Sequence, residues 1–167
     1  MPPQARCKAP HLPHPRPRAT LPRPYRERIM TYDPSNIFGK ILRGEIPAHK
    51  VYEDATALVM MDLFPQSRGH VLVVPKAASR NLLDADPATL SAVMPLVQRV
   101  AKAIKTATGA DGIRLAQFNE TPAGQTVFHL HFHIIPVYAG VALGAHAANK
   151  ADDSELAVLA KAIAAHL

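Results

Sequence analysis

The segment TVFHLHFHIIP, residues 126–136, sets His129, His131 and His133 at alternate positions with Leu130, Phe132 and Ile134 interleaved. In an extended chain successive side chains point to opposite faces. The pattern therefore predicts a strand with its apolar residues in a core and a row of imidazoles opposite. Residues 30–167 hold seven histidines, and random placement would produce such a triplet in roughly 1% of chains of this composition. The row is accordingly read as chemistry.

Outward from this strand the punctuation is regular. GIRLAQF (112–118) reads as a neighbouring strand, and VYED (51–54), ALVMMD (57–62) and HVLVVP (70–75) as three more, the last two joined by the hairpin loop FPQSRG. Asp86 and Pro87 form an N-cap and first-turn pair. Leu90, Val93, Val97, Val100 and Ile104 then make a helical stripe closed by Gly109. Pro95 lies inside that pattern and is expected to kink the helix or move its start. A short helix, IFGKILRG, can be capped by Asp33, Ser35 or Asn36 and stopped by Gly44. Asp152 or Asp153 caps a last helix with Leu156, Leu159, Ile163 and Leu167 along one face. Three strands, a helix, two strands and a terminal helix predict an α+β fold with an antiparallel sheet.

The chain has 167 residues and a formal charge of +6. Residues 1–29 contain seven basic residues, one acid (Glu27) and eight of the 16 prolines, while residues 30–167 carry twelve charges of each sign. The whole excess belongs to a basic, proline-rich segment that offers little apolar area to offset backbone entropy. It is read as a disordered extension, or as a translation start set upstream of a native start at Met30. With Tyr25 as its one aromatic it lacks the interleaved stacking residues of a single-strand platform, so nucleic-acid binding by this arm is not expected. A single cysteine, Cys7, excludes an intramolecular disulfide framework and CxxC zinc modules. The absence of a long apolar run or a secretory h-region gives the expectation of a soluble, cytoplasmic protein without membrane association.

On a straight strand successive members of the histidine row would lie about 6.6 Å apart at Cα and the outer two about 13 Å apart. Zinc needs its ligand nitrogens about 2.0–2.1 Å away. An adjacent pair can reach one ion, but no Cys or Asp stands beside it in the sequence to complete a shell. A nucleophile, an orienting partner and a proton donor fit the row better, because neutral imidazole performs all three tasks near neutral pH. A metal site and a set of simply exposed histidines are the competing readings.

The pattern His-apolar-His-apolar-His-apolar-apolar resembles the signature of the histidine triad (HIT) family of nucleotidyl hydrolases and transferases. NIFGKILRGEIP, VYED, MMDLFPQSRGHVLVVPK and AGQTVFHLHFHIIP, in that order, resemble its purine nucleoside phosphoramidase branch. The resemblance implies a five-stranded antiparallel sheet with a long and a C-terminal helix, paired in a homodimer. It divides the chain into the extension (1–29), a HIT domain (30–140) and a C-terminal segment with its helix (141–167). It implies that His131 attacks the α-phosphorus of a purine nucleotide conjugate to give a nucleotidyl-histidine intermediate, which water resolves. His129 would orient His131, His133 would bind a phosphate oxygen or assist the leaving group, and His70 would be a fourth active-site histidine. Asn119, Gly124, Gln125 and Thr126 would serve the phosphate and leaving group, and Asp62 the ribose. Ile37, Phe38, Ile41, Met60 and Leu63 would sandwich the base. No metal or other cofactor is implied. A diadenosine polyphosphate hydrolase and a nucleotide-binding regulatory module are the alternatives. His146 is left without a role.

Overall fold

A computed structural model describes residues 31–167, so the expectations for residues 1–29 and for Met30 lie outside the described residues. The order of elements is α1 (Ile37–Leu42), β1 (Lys50–Glu53), β2 (Ala57–Met61), β3 (Val71–Pro75), α2 (Pro87–Thr108), β4 (Gly112–Ala116), β5 (Phe132–Val137) and α3 (Asp153–Ala164). The five strands form one sheet in the order β1-β2-β3-β5-β4, with every neighbouring pair antiparallel. This is the α+β architecture anticipated above. Among the described residues no helix is long and apolar enough to cross a membrane.

The ends of the helices follow from short polar side chains. Asn36 accepts from the Gly39 N–H and caps α1, Asp86 accepts from Ala88 ahead of Pro87, and Asp152 accepts from Ser154 and Glu155. Gly109 closes α2 in the left-handed region at φ 70°. Pro95 neither ends α2 nor moves its start: the helix runs unbroken from Pro87 to Thr108 with Pro95 on the exposed side. The penalty of the missing N–H is small there because water can serve the freed carbonyl.

Alternation divides the sheet into two faces. Val59, Met61, Val71, Val73, Leu130, Phe132 and Ile134 pack with the apolar stripes of α2 and α3 in the main core. Leu58, Met60, Leu72 and Val74 face the other way and are covered by Phe38 and Ile41 of α1. Met60 pairs with Leu72 and Leu72 with His133. With a period of two, Asp62, His70, His131 and His133 therefore share this second face. Burying a second apolar layer under one short helix leaves room beside it, and the polar residues line that room.

Candidate functional site

The histidine row is shorter as a strand than its alternation predicts. Strand β5 begins at Phe132; His129 sits in a bend, and residues 129–131 are unpaired in the ladder. Its neighbour β3 ends at Pro75, which has no N–H to continue the ladder. Ser79 and His129 replace the missing bonds: the Leu130 N–H donates to the Ser79 carbonyl (2.8 Å), and His129 Nε2 donates to the Pro75 carbonyl (2.8 Å). The His131 and His133 ring centroids lie 4.8 Å apart.

Each ring has a hydrogen-bonding partner that selects its tautomer. Because His129 Nε2 donates to a carbonyl, its Nδ1 is the acceptor and takes the Tyr32 hydroxyl at 2.7 Å. His131 Nδ1 lies 2.6 Å from the His129 carbonyl oxygen and must donate to it. That leaves Nε2 of His131 with its lone pair. The Gln66 N–H donates to His70 Nδ1 (3.2 Å), so His70 carries its hydrogen on Nε2 and gives it to His133 Nδ1 at 3.0 Å. His133 in turn must be protonated at Nε2, a buried nitrogen without a hydrogen-bond partner among the described residues. The tautomers thus follow from backbone groups at both ends of the site.

All four rings are buried: His70 and His129 are 0% exposed, His133 2% and His131 5%. Burial disfavours the charged form and pushes every one of their pKa values down, that of His131 from 6.5 to about 4. For His133 the neighbouring imidazoles His131 and His70 add to the effect of burial. The four are neutral at physiological pH, which preserves the lone pair on His131.

One cavity brings together His131, His133, Asp62, Thr126, Ile37, Phe38, Ile41, Met60 and Leu63. These are nine of the residues singled out from the sequence. Phe38 stands edge-on to His131 at 4.9 Å, tying the apolar wall to the imidazole row. Asp62 accepts from the Phe64 N–H (2.9 Å) and holds its second oxygen 3.3 Å from His70 Nδ1. Asp62, His70 and His133 have donor atoms within 4.8 Å of one another, so three groups distant in sequence form a set that could hold an ion. The sequence shows no acid beside the row, but folding supplies Asp62. In this arrangement His70 Nε2 and His133 Nδ1 are already joined by a hydrogen bond of their own.

Three expected phosphate groups lie elsewhere. Gln125 is buried with its amide fully bonded: Oε1 accepts from Asn81 Nδ2 (3.1 Å) and the Glu120 N–H (2.8 Å), and Nε2 donates to the carbonyls of Arg80 (2.8 Å) and Val127 (3.0 Å). Asn119 accepts from the Leu82 N–H and donates to Gln117. Gly124, at φ 96°, closes a 3₁₀ turn over Thr121–Ala123. Asn119 and Gln125 are held by residues 80–82 and by the loop's own polar groups, so in this geometry they shape the loop that delivers Thr126. A bidentate pair between Arg80 and Glu120 (2.8 Å each) braces the same loop.

Sequence reasoning missed Tyr32, Arg80, Glu120 and Phe118. Phe118 flanks His133 at 5.2 Å. Tyr32 could have been noticed as the aromatic beside the first helix cap, but nothing local links it to His129, 97 residues away. It also left His146 unassigned, and His146 lines the cavity.

The chain is similar to known proteins in sequence and in fold. The model of the HIT domain family matches residues 43–140. A protein of Arabidopsis thaliana named adenylylsulfatase HINT3 is 42% identical over 100 residues, covering 60% of this chain and 51% of its own. The chain thus spans about half the length of that relative. The adenosine 5'-monophosphoramidase hnt1 of Schizosaccharomyces pombe is 40% identical over 102 residues, covering 61% of this chain and 74% of its own. A crystal structure of a Hit-like protein from Bartonella henselae superposes with a TM-score of 0.78 at 51% identity, covering 81% of this chain and 98% of that one.

Proposed function

The chain belongs to the HIT domain family, and on that premise we propose that it hydrolyses nucleoside phosphoramidates or related purine nucleotide conjugates through a nucleotidyl-His131 intermediate. The observation that carries this reading is the hydrogen bond from His131 Nδ1 to the His129 carbonyl. It aims a neutral imidazole with a free Nε2 lone pair into the position of a nucleophile. His129, held by Tyr32 and the Pro75 carbonyl, orients its neighbour.

In the proposed reaction Nε2 attacks the α-phosphorus, a phosphorus–nitrogen bond to His131 forms, and the bond to the leaving group breaks. The departing nitrogen or oxygen takes up a proton from solvent. His133 Nε2–H and the Thr126 hydroxyl donate to the phosphoryl oxygens as charge builds on them. Water then attacks phosphorus, the bond to Nε2 breaks, one water proton returns to solvent, and the nucleoside monophosphate leaves. Asp62 accepts the ribose hydroxyls. Ile37, Phe38, Ile41, Met60 and Leu63 hold the base between apolar walls that discriminate weakly among purines.

The names of two relatives join an adenylyl group to different leaving groups, which supports an adenylyl donor and leaves the leaving group to experiment. The test incubates the full chain with adenosine phosphoramidate, adenylyl sulfate and diadenosine tetraphosphate and follows AMP release, with His131→Ala alongside. Fastest turnover of the phosphoramidate, abolished in the variant, is the expected result. A preference for the tetraphosphate would make the chain a dinucleotide hydrolase, and turnover by His131→Ala would end the covalent reading. The proposal includes a homodimer, supported by the edge of β4, which is unpaired among the described residues, and by Met94 and Leu115, 40% and 49% exposed. Sedimentation as a monomer at micromolar concentration would contradict it.

A further inference from the structure

Among the described residues two buried side-chain nitrogens have no hydrogen-bond partner, His133 Nε2 and His146 Nδ1. Both residues line the cavity that holds His131. Their ring centroids are 5.3 Å apart at an interplanar angle of 74°, and Phe118 packs against both, 5.2 Å from His133 and 5.4 Å from His146. Buried polar atoms are nearly always paired in folded proteins, so two unpaired nitrogens at one cavity point to a ligand atom that pairs with both.

His146 arrives on the irregular stretch between β5 and α3, and that stretch is fastened beside the site. The Gly144 N–H donates to the Gln66 carbonyl (2.7 Å), Gln66 Nε2 donates back to the Gly144 carbonyl (3.0 Å), and the Ala151 N–H donates to the Leu63 carbonyl (2.9 Å). A Cβ at position 144 would stand 3.3 Å from the Gln66 oxygen, so glycine permits the close approach. Gln66 also supplies the N–H that selects the His70 tautomer. The strap is therefore attached to the same loop that begins the relay to His133, with His146 between the two fastenings.

The relay makes His133 Nε2 a donor, so the shared partner must be an acceptor. His146 can present N–H at Nδ1 to that same acceptor, and two imidazole donors converging on one atom suit an anionic oxygen. We propose that His146 and His133 together bind one phosphoryl oxygen of the nucleotide, making the strap around residues 144–151 a ligand-bearing part of the site. This rests on the reading of the site as a nucleotidyl-transfer centre and assigns its phosphate a second imidazole donor, from a separate segment of the chain.

Two substitutions in the full chain separate this role from packing. His146→Phe keeps a ring against Phe118 and His133 but removes the nitrogen. His146→Asn loses the ring but keeps an amide near the place of Nδ1. AMP affinity is measured by calorimetry and the kinetic constants with adenosine phosphoramidate. The expected result is AMP binding weaker by about tenfold and a matching rise in KM for His146→Phe, with His146→Asn within about threefold of the parent. Unchanged affinity in His146→Phe, a larger loss in His146→Asn than in His146→Phe, or no AMP binding by the parent chain would overturn the proposal. The split in AMP affinity without turnover by the parent would sustain it while defeating the transfer reaction. Turnover through His131 without the split would do the reverse.

Discussion

Substituting His131 by Asn should flatten the acid limb of the stability profile. The ring is 5% exposed, and burial lowers its pKa from 6.5 to about 4. In the unfolded chain the imidazole regains its ordinary pKa. Between these two values the unfolded state binds the proton and the folded state does not, so stability falls as pH falls. The contribution is fully present above pH 6.5 and exhausted near pH 4. A difference of about 2.5 units at 1.36 kcal/mol each amounts to about 3 kcal/mol from this one residue. His70, His129 and His133 shift in the same direction, so the parent chain should lose more than this in total. The difference between parent and variant isolates His131. Urea unfolding at pH 7.5, 6.0, 5.0 and 4.0, with free energies extrapolated to water, measures it. The parent should lose about 3 kcal/mol more than His131→Asn across that range. Parallel profiles would refute the argument that burial keeps this imidazole neutral.

Tyr32→Phe removes the hydroxyl that His129 Nδ1 accepts (2.7 Å); loosening the orienting ring should lower kcat several-fold with little change in KM, a split read from steady-state kinetics. Gly69→Ala forces a side chain onto a backbone at φ 88° and sets its Cβ 2.9 Å from Thr108 Cγ2, so thermal denaturation should show a loss of about 1–3 kcal/mol. Glu120→Gln breaks the bidentate pair with the buried Arg80; because the carboxylate is partly solvated the expected loss is about 1–2 kcal/mol, accompanied by faster amide exchange at residues 119–126.

The fold was legible because its signals were local and mutually consistent. Asn36, Asp86-Pro87 and Asp152 cap the helices they begin, and the alternation of Leu58, Met60, Leu72 and Val74 against Val59, Met61, Val71 and Val73 separates the two cores. Pro95 misled because its penalty depends on whether water reaches the freed carbonyl, and exposure is a tertiary property. In the site, the cavity wall and the histidine row were readable from spacing and from resemblance. The relay from Gln66 through His70 to His133 was not, since it depends on which ring nitrogen meets which backbone group. Gln125 and Asn119 sit in a motif-like stretch, yet the side chains of Asn81 and Gln117 and the backbone N–H groups of Leu82 and Glu120 engage them. His146 has no motif around it, and only the closure of the strap onto Gln66 brings it to the cavity.

Covalent nucleotidylation of His131 is the step on which the proposed reaction depends. It is tested most directly by mixing the full chain with adenosine phosphoramidate, quenching within milliseconds, and measuring intact mass followed by peptide mapping. A transient increase equal to one adenylyl group is expected, carried by the peptide containing His131 and absent from His131→Ala. Turnover with no adduct in the quenched protein, or an adduct mapped to His133 or His146, would contradict it.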